Sequence, residues 1–352
     1  MLTRIWLTYK QHRFETIALI VVCLGLAAAA LIEAYRLNSM NVPMSCFNSW
    51  TGGFVDPSGP PMDAATAHCN SLVKSWMSLN GSTDMNLVQM LLIFAPLLGG
   101  IVLGAPLVAR EIEQGTAPLS WALSGSRRRW LLGKVLAGVL LLVPLMLAVG
   151  ITADVLTAAT HPGLDTHAAF EGFAGRGVIV VFWALAAFAG TFALGTLMGR
   201  TLPALIVALL VCFFVRVTWD AGMSHFILAP FARQEISSDQ NYNGWYAGEI
   251  NMPAYGQYYM DGKAWNGDYY EWSMAHPVPM VAVTAPPDAP ADQKGTSYMQ
   301  PDPSFDSPSY VQFVIPGNWY WNVVAVESAF LLLGSLLFGG IAMVWVDRRR
   351  PY

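Results

Sequence analysis

The most densely charged connection between two apolar segments of this chain runs from Val108 to Gly138. It reads VAREIEQGTAPLSWALSGSRRRWLLGKVLAG and separates two long apolar runs. Its charged members are Arg110, Glu111, Glu113, Arg127, Arg128, Arg129 and Lys134. Charged groups this close together are suited to ionic contacts with a partner surface. We therefore predict that any contact with a partner in the cytosol lies in this stretch.

Signatures of catalysis are missing from the sequence. The pairs Gly133–Lys134 and Gly262–Lys263 are followed by Val and Ala, so neither belongs to a phosphate-binding loop. His161, Asp165 and His167 lie close in sequence, but without Cys or an H-E-x-x-H context they make a poor metal site. No G-x-S-x-G occurs. We predict no catalytic residue, no metal and no bound cofactor in this chain.

The composition is that of a polytopic membrane protein. Of 352 residues, 55% are hydrophobic and only 12% are charged, whereas soluble domains carry roughly 25% charged residues. Six apolar runs approach the roughly 20 residues that a helix needs to cross the hydrocarbon core. They lie at about 16–35, 87–108, 130–151, 177–199, 202–218 and 321–346. The predicted fold is all-α, with six transmembrane helices.

The distribution of Lys and Arg predicts the orientation of these spans. An even number of spans places both termini on one side of the membrane. The two terminal segments, the loop after the second span and the hairpin at Arg200 together hold 12 of the 19 Lys and Arg residues. Short basic segments stay in the cytoplasm. We therefore expect a multi-pass protein of the cell membrane with both termini cytoplasmic.

The spans divide the chain into four parts. Residues 1–14 precede the first span, and residues 15–218 contain the first five. This second part includes an outer loop at 36–86 and a cytoplasmic loop at 109–129. Residues 219–320 form an outer cap, and residues 321–352 form the last span with a basic tail.

The first part has the pattern of an amphipathic helix. Leu2, Ile5, Trp6 and Tyr9 fall at i, i+3, i+4 and i+7, with most basic residues elsewhere on the helix. This pattern predicts an elbow helix at the membrane surface. The alternative is an unstructured basic leader.

The outer loop at 36–86 contains the only two cysteines outside the spans, Cys46 and Cys69. Thiols on the oxidising side of a membrane tend to pair, so we predict a disulfide between them. The alternative is a pair of free thiols.

The segment at 219–320 is rich in aromatic residues. Tyr and Trp are concentrated between Tyr242 and Trp272, and Pro and Asp between Pro277 and Pro308. We expect a small aromatic-rich cap with an irregular second half. Interfacial anchoring explains the aromatic residues, and stacking on a carbohydrate or a lipid headgroup is the alternative.

Small and ionisable residues within the spans suggest packing rather than transport of protons. The pairs Gly100 and Gly104, and Gly195 and Gly199, permit close approach of helices. The ionisable residues Glu33, Arg216, Asp220 and Glu327 are expected near the outer boundary, where acid and base can pair. A proton relay needs such groups at mid-membrane, so a proton-coupled carrier is disfavoured.

The stretch from Ala109 to Gly138 resembles the connection after the second span of type-2 ABC exporter permeases, particularly actinobacterial transmembrane subunits. The shared pattern is a Glu-x-Glu-x-Gly-Thr turn, a short apolar helix, a Ser-x-x-Arg-Arg-x-Trp start and a Lys one turn later. Two further segments resemble the same family: FWALAAFAGTFALGTLMGRTLPALIVALL at 182–210 and WNVVAVESAFLLLGSLLFGGIAMVWVDRRR at 321–350. The resemblance covers nearly all six spans in order.

The resemblance implies a half-transporter with an elbow helix and six spans, which pairs with a second copy or with a similar permease. It implies two separate ATPase subunits, which carry ATP and Mg. Its coupling position matches Arg110, Glu111, Glu113, Gln114, Gly115 and Thr116. The substrate path of the family lies between the second and fifth spans, where the bulky candidates are Met90, Phe94, Phe213 and Phe214.

We therefore expect an ATP-driven exporter permease, not itself an enzyme, that moves an amphiphilic or hydrophobic small molecule outward. Its other partner is the lipid bilayer, and no nucleic acid is expected. The alternative is a non-transporting membrane protein whose aromatic outer domain binds a ligand or an envelope partner and passes a signal across the membrane. We expect Glu111 and Glu113 at the water-facing end of a helix.

Overall fold

The computed structural model describes residues 9–10, 12–48, 63–124, 126–223, 227–234, 248–250, 252–260, 263–265, 275–276, 280–284, 297–301 and 309–348. The chain forms two compact units. The first contains residues 1–223, 239–252 and 316–352, and the second contains residues 224–238 and 253–315. The first unit holds the long helices.

The predicted spans are confirmed as helices. The helices are α1 (Arg13–Ser39), α2 (Met44–Asn48), α3 (Ala64–Asn80), α4 (Thr83–Gly104), α5 (Pro106–Glu113), α6 (Ala117–Ser124), α7 (Arg127–Thr160), α8 (Ile179–Met198), α9 (Thr201–Gly222) and α10 (Tyr320–Arg348). Within the described residues, six helical segments are long and apolar enough to cross a membrane: α1, α4 with α5, α7, α8, α9 and α10. Several extend beyond the apolar runs, because polar residues continue the helix past the hydrocarbon core.

Helix α8 lies at the centre of the first unit and packs against α4, α7, α9 and α10. Glycines make this packing close. A Cβ added to Gly100 would lie 2.6 Å from the carbonyl oxygen of Ala184, and one added to Gly104 would lie 2.6 Å from that of Phe188. A Cβ added to Gly195 would lie 2.7 Å from the carbonyl oxygen of Ala105. The predicted role of these three glycines in helix approach is confirmed, within a single chain.

Gly199 has a different role from the other three. Its backbone is left-handed, with φ of 61°, and its N–H donates to the carbonyl of Gly195. This conformation ends α8, since glycine adopts it without steric penalty. The chain then turns back through Arg200 into α9, as the tight connection of the fourth and fifth spans predicts.

The predicted disulfide is confirmed between Cys46 on α2 and Cys69 on α3, whose Cα atoms lie 5.0 Å apart. Beside it, the ring of Phe47 meets that of Trp76 edge to face, with 5.2 Å between ring centroids. Both of these aromatic side chains are buried. The bond therefore belongs to a small core where α2 and α3 meet.

The connection between α7 and α8 contains a strand that the sequence did not predict. Strand β1 (Leu164–Ala169) pairs in parallel with β3 (Gly248–Ile250). Arg176, almost fully buried, donates to the backbone carbonyls of Thr166, Ala169 and Glu171 and to Asp154 of α7, the last at 3.0 Å. The guanidinium thereby fixes β1 against the end of α7.

The second unit consists of short strands. They are β2 (Arg233–Gln234), β4 (Met252–Met260), β5 (Lys263–Trp265), β6 (Met280–Thr284), β7 (Ser297–Pro301) and β8 (Ser309–Ile315). One sheet has the order β2-β8-β4-β5, and β6 and β7 form an antiparallel pair. The all-α prediction is therefore correct for the spans but wrong for the segment at 219–320, which contains strands. Strands β6 and β7 lie in the half expected to be irregular.

Parts of two predicted features lie outside the described residues. Of the predicted elbow helix, residues 1–8 and residue 11 are not described, although Tyr9 and Lys10 are helical. Most of the aromatic run from Tyr242 to Trp272 and of the Pro-rich run to Pro308 also lies outside them, apart from the backbone of the strands. The elbow and the aromatic cap stay predictions.

The close packing of α4 on α8 predicts the effect of a single methyl group. Gly100→Ala should destabilise the protein by about 1–3 kcal/mol, the usual effect of overpacking. The nearest atoms are backbone atoms of Ala184 and Phe188 and the Cβ of Ala187, none of which can rotate away. Thermal unfolding of the purified protein measures this change. Gly133→Ala is the control, since no described atom lies within 4 Å of the added Cβ. Equal unfolding temperatures for the two variants would contradict the close contact.

Candidate functional site

One end of the spans gathers the predicted coupling residues. The first turns of α1, α7 and α9 meet the last turns of α4, α8 and α10 here, and we call this end the basic end. Arg127 donates to the backbone carbonyls of Val346 and Asp347 at 3.2 Å, and Arg128 binds the carboxylate of Asp347 at 2.7 Å. These bonds join the start of α7 to the end of α10.

A break between α4 and α5 sets the direction of the coupling segment. Ala105 separates the two helices, and Pro106 opens α5. Proline lacks the N–H that would continue the helical ladder, so it suits the first position of a new helix. The segment α5 then buries Leu107, Val108 and Glu111 on one face.

The turn after α5 is a Schellman motif. Gly115 has φ of 69°, its N–H donates to the carbonyl of Ile112, and the N–H of Thr116 donates to the carbonyl of Glu111. This pair of bonds closes a helix when its C′ residue is left-handed, which favours glycine. The Glu-x-Glu-x-Gly-Thr pattern therefore encodes a defined stop, after which α6 begins at Ala117.

Glu111 is buried and forms an ion pair with Lys134 of α7. The Lys134 amine lies 2.5 Å from the Glu111 carboxylate, and the two residues are 5% and 6% exposed. The expectation that Glu111 faces water is therefore wrong. Glu111 follows Leu107 by four residues, so both point to the same side of α5. That side packs into the protein, and the carboxylate is tolerated there because Lys134 neutralises it.

Two further ion or hydrogen-bond contacts tie α5 to its neighbours. Arg110 binds Glu15 of α1 at 3.0 Å. Glu113 is exposed, and its carboxylate accepts the backbone N–H of Thr201 at 2.9 Å, at the start of α9. The short helix α5 is thus bonded to α1, α7 and α9 through three successive charged side chains.

Six exposed residues of α5, of the turn after it and of the start of α6 form what we call the coupling surface. It consists of Arg110, Glu113, Gln114, Gly115, Thr116 and Leu119. The sequence predicted five of these six residues but not Leu119, whose side chain is 66% exposed. The sequence feature that could have identified Leu119 is its position: an aliphatic residue in a short connection, directly after Pro118 and outside both neighbouring spans. Leu119 therefore adds an exposed apolar side chain to this otherwise polar surface.

His12 lies beside the ion pair and is itself buried. Its side chain is 4% exposed, and its Nε2 atom has no hydrogen-bond partner among the described residues. Burial and the nearby positive charge of Lys134 lower the pKa of His12, and the carboxylates of Glu15 and Glu111 only partly oppose them. His12 therefore stays neutral near pH 7.

The predicted substrate-path residues are only partly brought together. The rings of Phe94 on α4 and Phe213 on α9 are stacked, with 6.4 Å between centroids. Met90 and Phe214 lie on the same two helices with more than half of their surface exposed. The four side chains thus mark the sides of α4 and α9 that lack cover within one chain.

A cleft of about 430 Å³ opens at the basic end between α1, α4, α5 and α9. It is lined by Glu15, Val102, Pro106, Arg110, Glu113, Gln114, Thr201 and Leu205. Its lining combines charged groups with aliphatic side chains. Such a mixed lining suits a molecule with one polar and one apolar end.

The model of a family described as ABC-2 membrane transporter related matches residues 18–223, which run from α1 to the end of α9. No curated protein and no solved structure matches the chain.

The buried ion pair predicts a non-additive stability change. Lys134→Met should destabilise the protein by about 3–5 kcal/mol, because it leaves the Glu111 carboxylate buried and uncompensated. The double variant Lys134→Met with Glu111→Leu should recover most of that loss, since neither charge remains. Thermal unfolding of the three proteins measures the effect. Arg128→Ala is the control, as its exposed pair with Asp347 contributes about 1 kcal/mol or less. A double variant less stable than Lys134→Met would exclude this interpretation.

The lowered pKa of His12 predicts a loss of stability in mild acid. Because the folded protein holds His12 neutral and the unfolded chain does not, protonation favours unfolding. Stability should be complete above pH 6.5, the ordinary pKa, and fall as the pH drops below it. The change His12→Gln should flatten this part of a plot of unfolding temperature against pH. His68→Gln, at an exposed site on α3, should leave the plot unchanged. An unaltered acid slope in His12→Gln would count against the buried neutral state.

Proposed function

The chain belongs to the ABC-2 membrane transporter related family, and we propose that this permease exports an amphiphilic or hydrophobic compound with energy from a separate ATPase subunit. The basic end is proposed to face the cytoplasm, where ATP is available. The permease supplies the path and the coupling contact, and the ATPase supplies hydrolysis of ATP with Mg.

The observation that carries the proposal is the coupling surface. An ATPase that drives a permease has to bind it at a rigid projection that is continuous with the spans. The coupling surface meets this requirement, because α5 continues from α4 across a single residue, Ala105, and ends in a defined Schellman turn at Gly115. Its exposed Gln114 and Leu119 are free of the packing that buries the opposite face of α5.

The bonds of α5 support transmission of movement to the spans. Arg110 is bonded to α1, Glu111 to α7 and Glu113 to α9. A displacement of α5 by a docked ATPase would therefore act on three spans at once. In this proposal Glu111 is a positioning residue inside the protein, and Glu113 contributes to docking only through the shape of the surface.

A second permease copy, or a similar six-span chain, is proposed to complete the path. Helix α9 has an exposed apolar side that includes Phe213 and Phe214, and α4 exposes Met90 beside Phe94. Such a surface needs cover by lipid or by another chain. Two chains related by a two-fold axis would enclose the path between these sides, with the cleft at the basic end as its entrance, and each would bind one ATPase subunit.

Leu119 provides the test of docking. The change Leu119→Asp should leave folding intact, since the side chain is exposed, and should weaken ATPase binding by about 2–4 kcal/mol if Leu119 is an interface anchor. This corresponds to between one and three decades of affinity. The measurements are co-purification of an ATPase subunit with the tagged chain from its native membrane, and ATP-dependent uptake of a hydrophobic dye by inverted vesicles.

The matched control is Met77→Asp. Met77 is an exposed apolar residue on α3, at the opposite end of the spans. The Met77→Asp variant should retain both binding of the ATPase subunit and ATP-dependent dye uptake. If Leu119→Asp binds the ATPase as tightly as Met77→Asp, the coupling surface is not the docking site. If no ATPase accompanies the unmodified chain, the proposed function itself is wrong.

A further inference from the structure

Helices α9 and α10 both pack on α8 and leave a groove between them. The groove has a volume of about 220 Å³. Its floor is formed by α8 residues around Gly190, one wall by Val211, Cys212 and Val215 of α9, and the other by α10 from Phe330 to Phe338. Along α10 this wall extends for about 12 Å, at 1.5 Å per residue. All the residues that form this groove belong to one chain.

The lining of this groove is apolar. The side chains are aliphatic or aromatic apart from Thr191 and Cys212, and two of the aromatic residues are tryptophans with an indole N–H. The Thr191 hydroxyl already donates within the helices, to the carbonyls of Gly100 and Phe188. A water molecule needs two to four polar partners to be retained in a cavity. Water is therefore not a suitable occupant.

A polar bridge closes one end of the groove. Glu327 of α10 is buried, and a single oxygen of its carboxylate accepts the indole N–H of Trp183 on α8 at 3.0 Å and of Trp219 on α9 at 2.9 Å. Arg216 lies over the ring of Trp183, 5.1 Å from its centre. The groove thus has an apolar body with charged groups at one end, as an amphiphile does.

The glycines of the groove are not explained by helix packing. No described atom lies within 4 Å of a Cβ built on Gly334, and the nearest to one built on Gly190 is the Phe338 ring at 3.8 Å. By contrast, a Cβ on Gly100 or Gly104 would meet backbone at 2.6 Å. Glycine in a helix is less stable than alanine by about 1 kcal/mol. At Gly190 and Gly334 the space that a side chain would occupy is open to a bound molecule.

We propose that the groove between α9 and α10 binds one acyl chain of a bilayer phospholipid. Both helices are apolar enough to cross the membrane, so the medium at the depth of the groove is hydrocarbon. An empty apolar groove would lose dispersion contacts along its whole lining, whereas an acyl chain restores them. The volume of about 220 Å³ and the apolar lining suit part of a single acyl chain, and the charged end suits the polar region of the same lipid.

A second copy of the chain is a less suitable occupant. At 100° per residue, Phe213 points about 160° away from the mean direction of the groove-facing residues Val211, Val215 and Trp219 of α9, and Phe214 about 100° away. The exposed aromatic side is therefore available to another chain without entry into the groove. The rim residues Val211, Val215, Phe330 and Phe338 are each more than a third exposed, which leaves the groove open to the bilayer.

The experiment uses the full chain in lipid nanodiscs that contain phosphatidylcholine with a diazirine on one acyl chain. After irradiation, mass spectrometry maps the lipid adducts. The variant Gly334→Leu fills the groove, and Gly340→Leu is the matched control. Gly340 lies on the same helix and is equally open to a Cβ, but it does not line the groove. Adducts on the exposed face of α1, at Ile17 and Val21, serve as the internal reference for folding and insertion.

Adducts should concentrate on the groove residues of α8, α9 and α10 in the unmodified protein and in Gly340→Leu. Relative to α1, they should fall about fivefold or more in Gly334→Leu, a change that corresponds to about 1 kcal/mol. If Gly334→Leu fails to insert, Val215→Trp, which obstructs the rim, should show the same fall. Groove adducts equal in Gly334→Leu and Gly340→Leu would overturn the proposal. Adducts missing from the groove, with cross-links between copies from Val215→Cys, would show that a second copy covers it instead. None of these readouts requires transport or an ATPase.

Discussion

The ion pair between Glu111 and Lys134 is the interaction on which the arrangement of the basic end depends. Each charge is nearly excluded from solvent, so each is tolerated only because the other is within 2.5 Å. The pair fixes the rotation of α5 about its axis, because only one side of this short helix can face α7. With that rotation fixed, Arg110 is directed to α1, Glu113 to α9, and Gln114 and Leu119 to the exterior.

The spans differ in how firmly they are held, and glycine contacts account for the difference. Close approach of backbones at Gly100, Gly104 and Gly195 packs α4 and α8 into one body, and about two thirds of the core of each helix is buried. Helices α9 and α10 are buried to a much smaller extent, 17% in each. We infer that α4 and α8 form the fixed part of each chain. Helix α9, which faces α4 across the proposed path, and helix α10, which forms a wall of the groove, are the ones with room to move.

Local patterns predicted the spans and the disulfide, because these depend on residues close together in sequence or on the compartment. The burial of Glu111 could have been found from its four-residue spacing to Leu107, but its partner Lys134 lies in another helix and required the tertiary structure. The same is true of Arg176, whose acceptors become adjacent only when β1 folds back on α7. Charge alone marked Glu111 and Glu113 as equivalent. In the structure Glu111 is a buried ion-pair partner of Lys134, and Glu113 is an exposed hydrogen-bond acceptor.

The bond between Glu113 and Thr201 also bears on the order in which the protein is assembled. The residue before α9 is Arg200, whose side chain offers no acceptor for the first N–H groups of that helix. Glu113, 88 residues earlier, supplies the acceptor instead. Because a chain is synthesised from its N-terminus, the residues of α5 leave the ribosome before Thr201 does. The acceptor at the start of the fifth span therefore belongs to a part of the chain that is synthesised earlier.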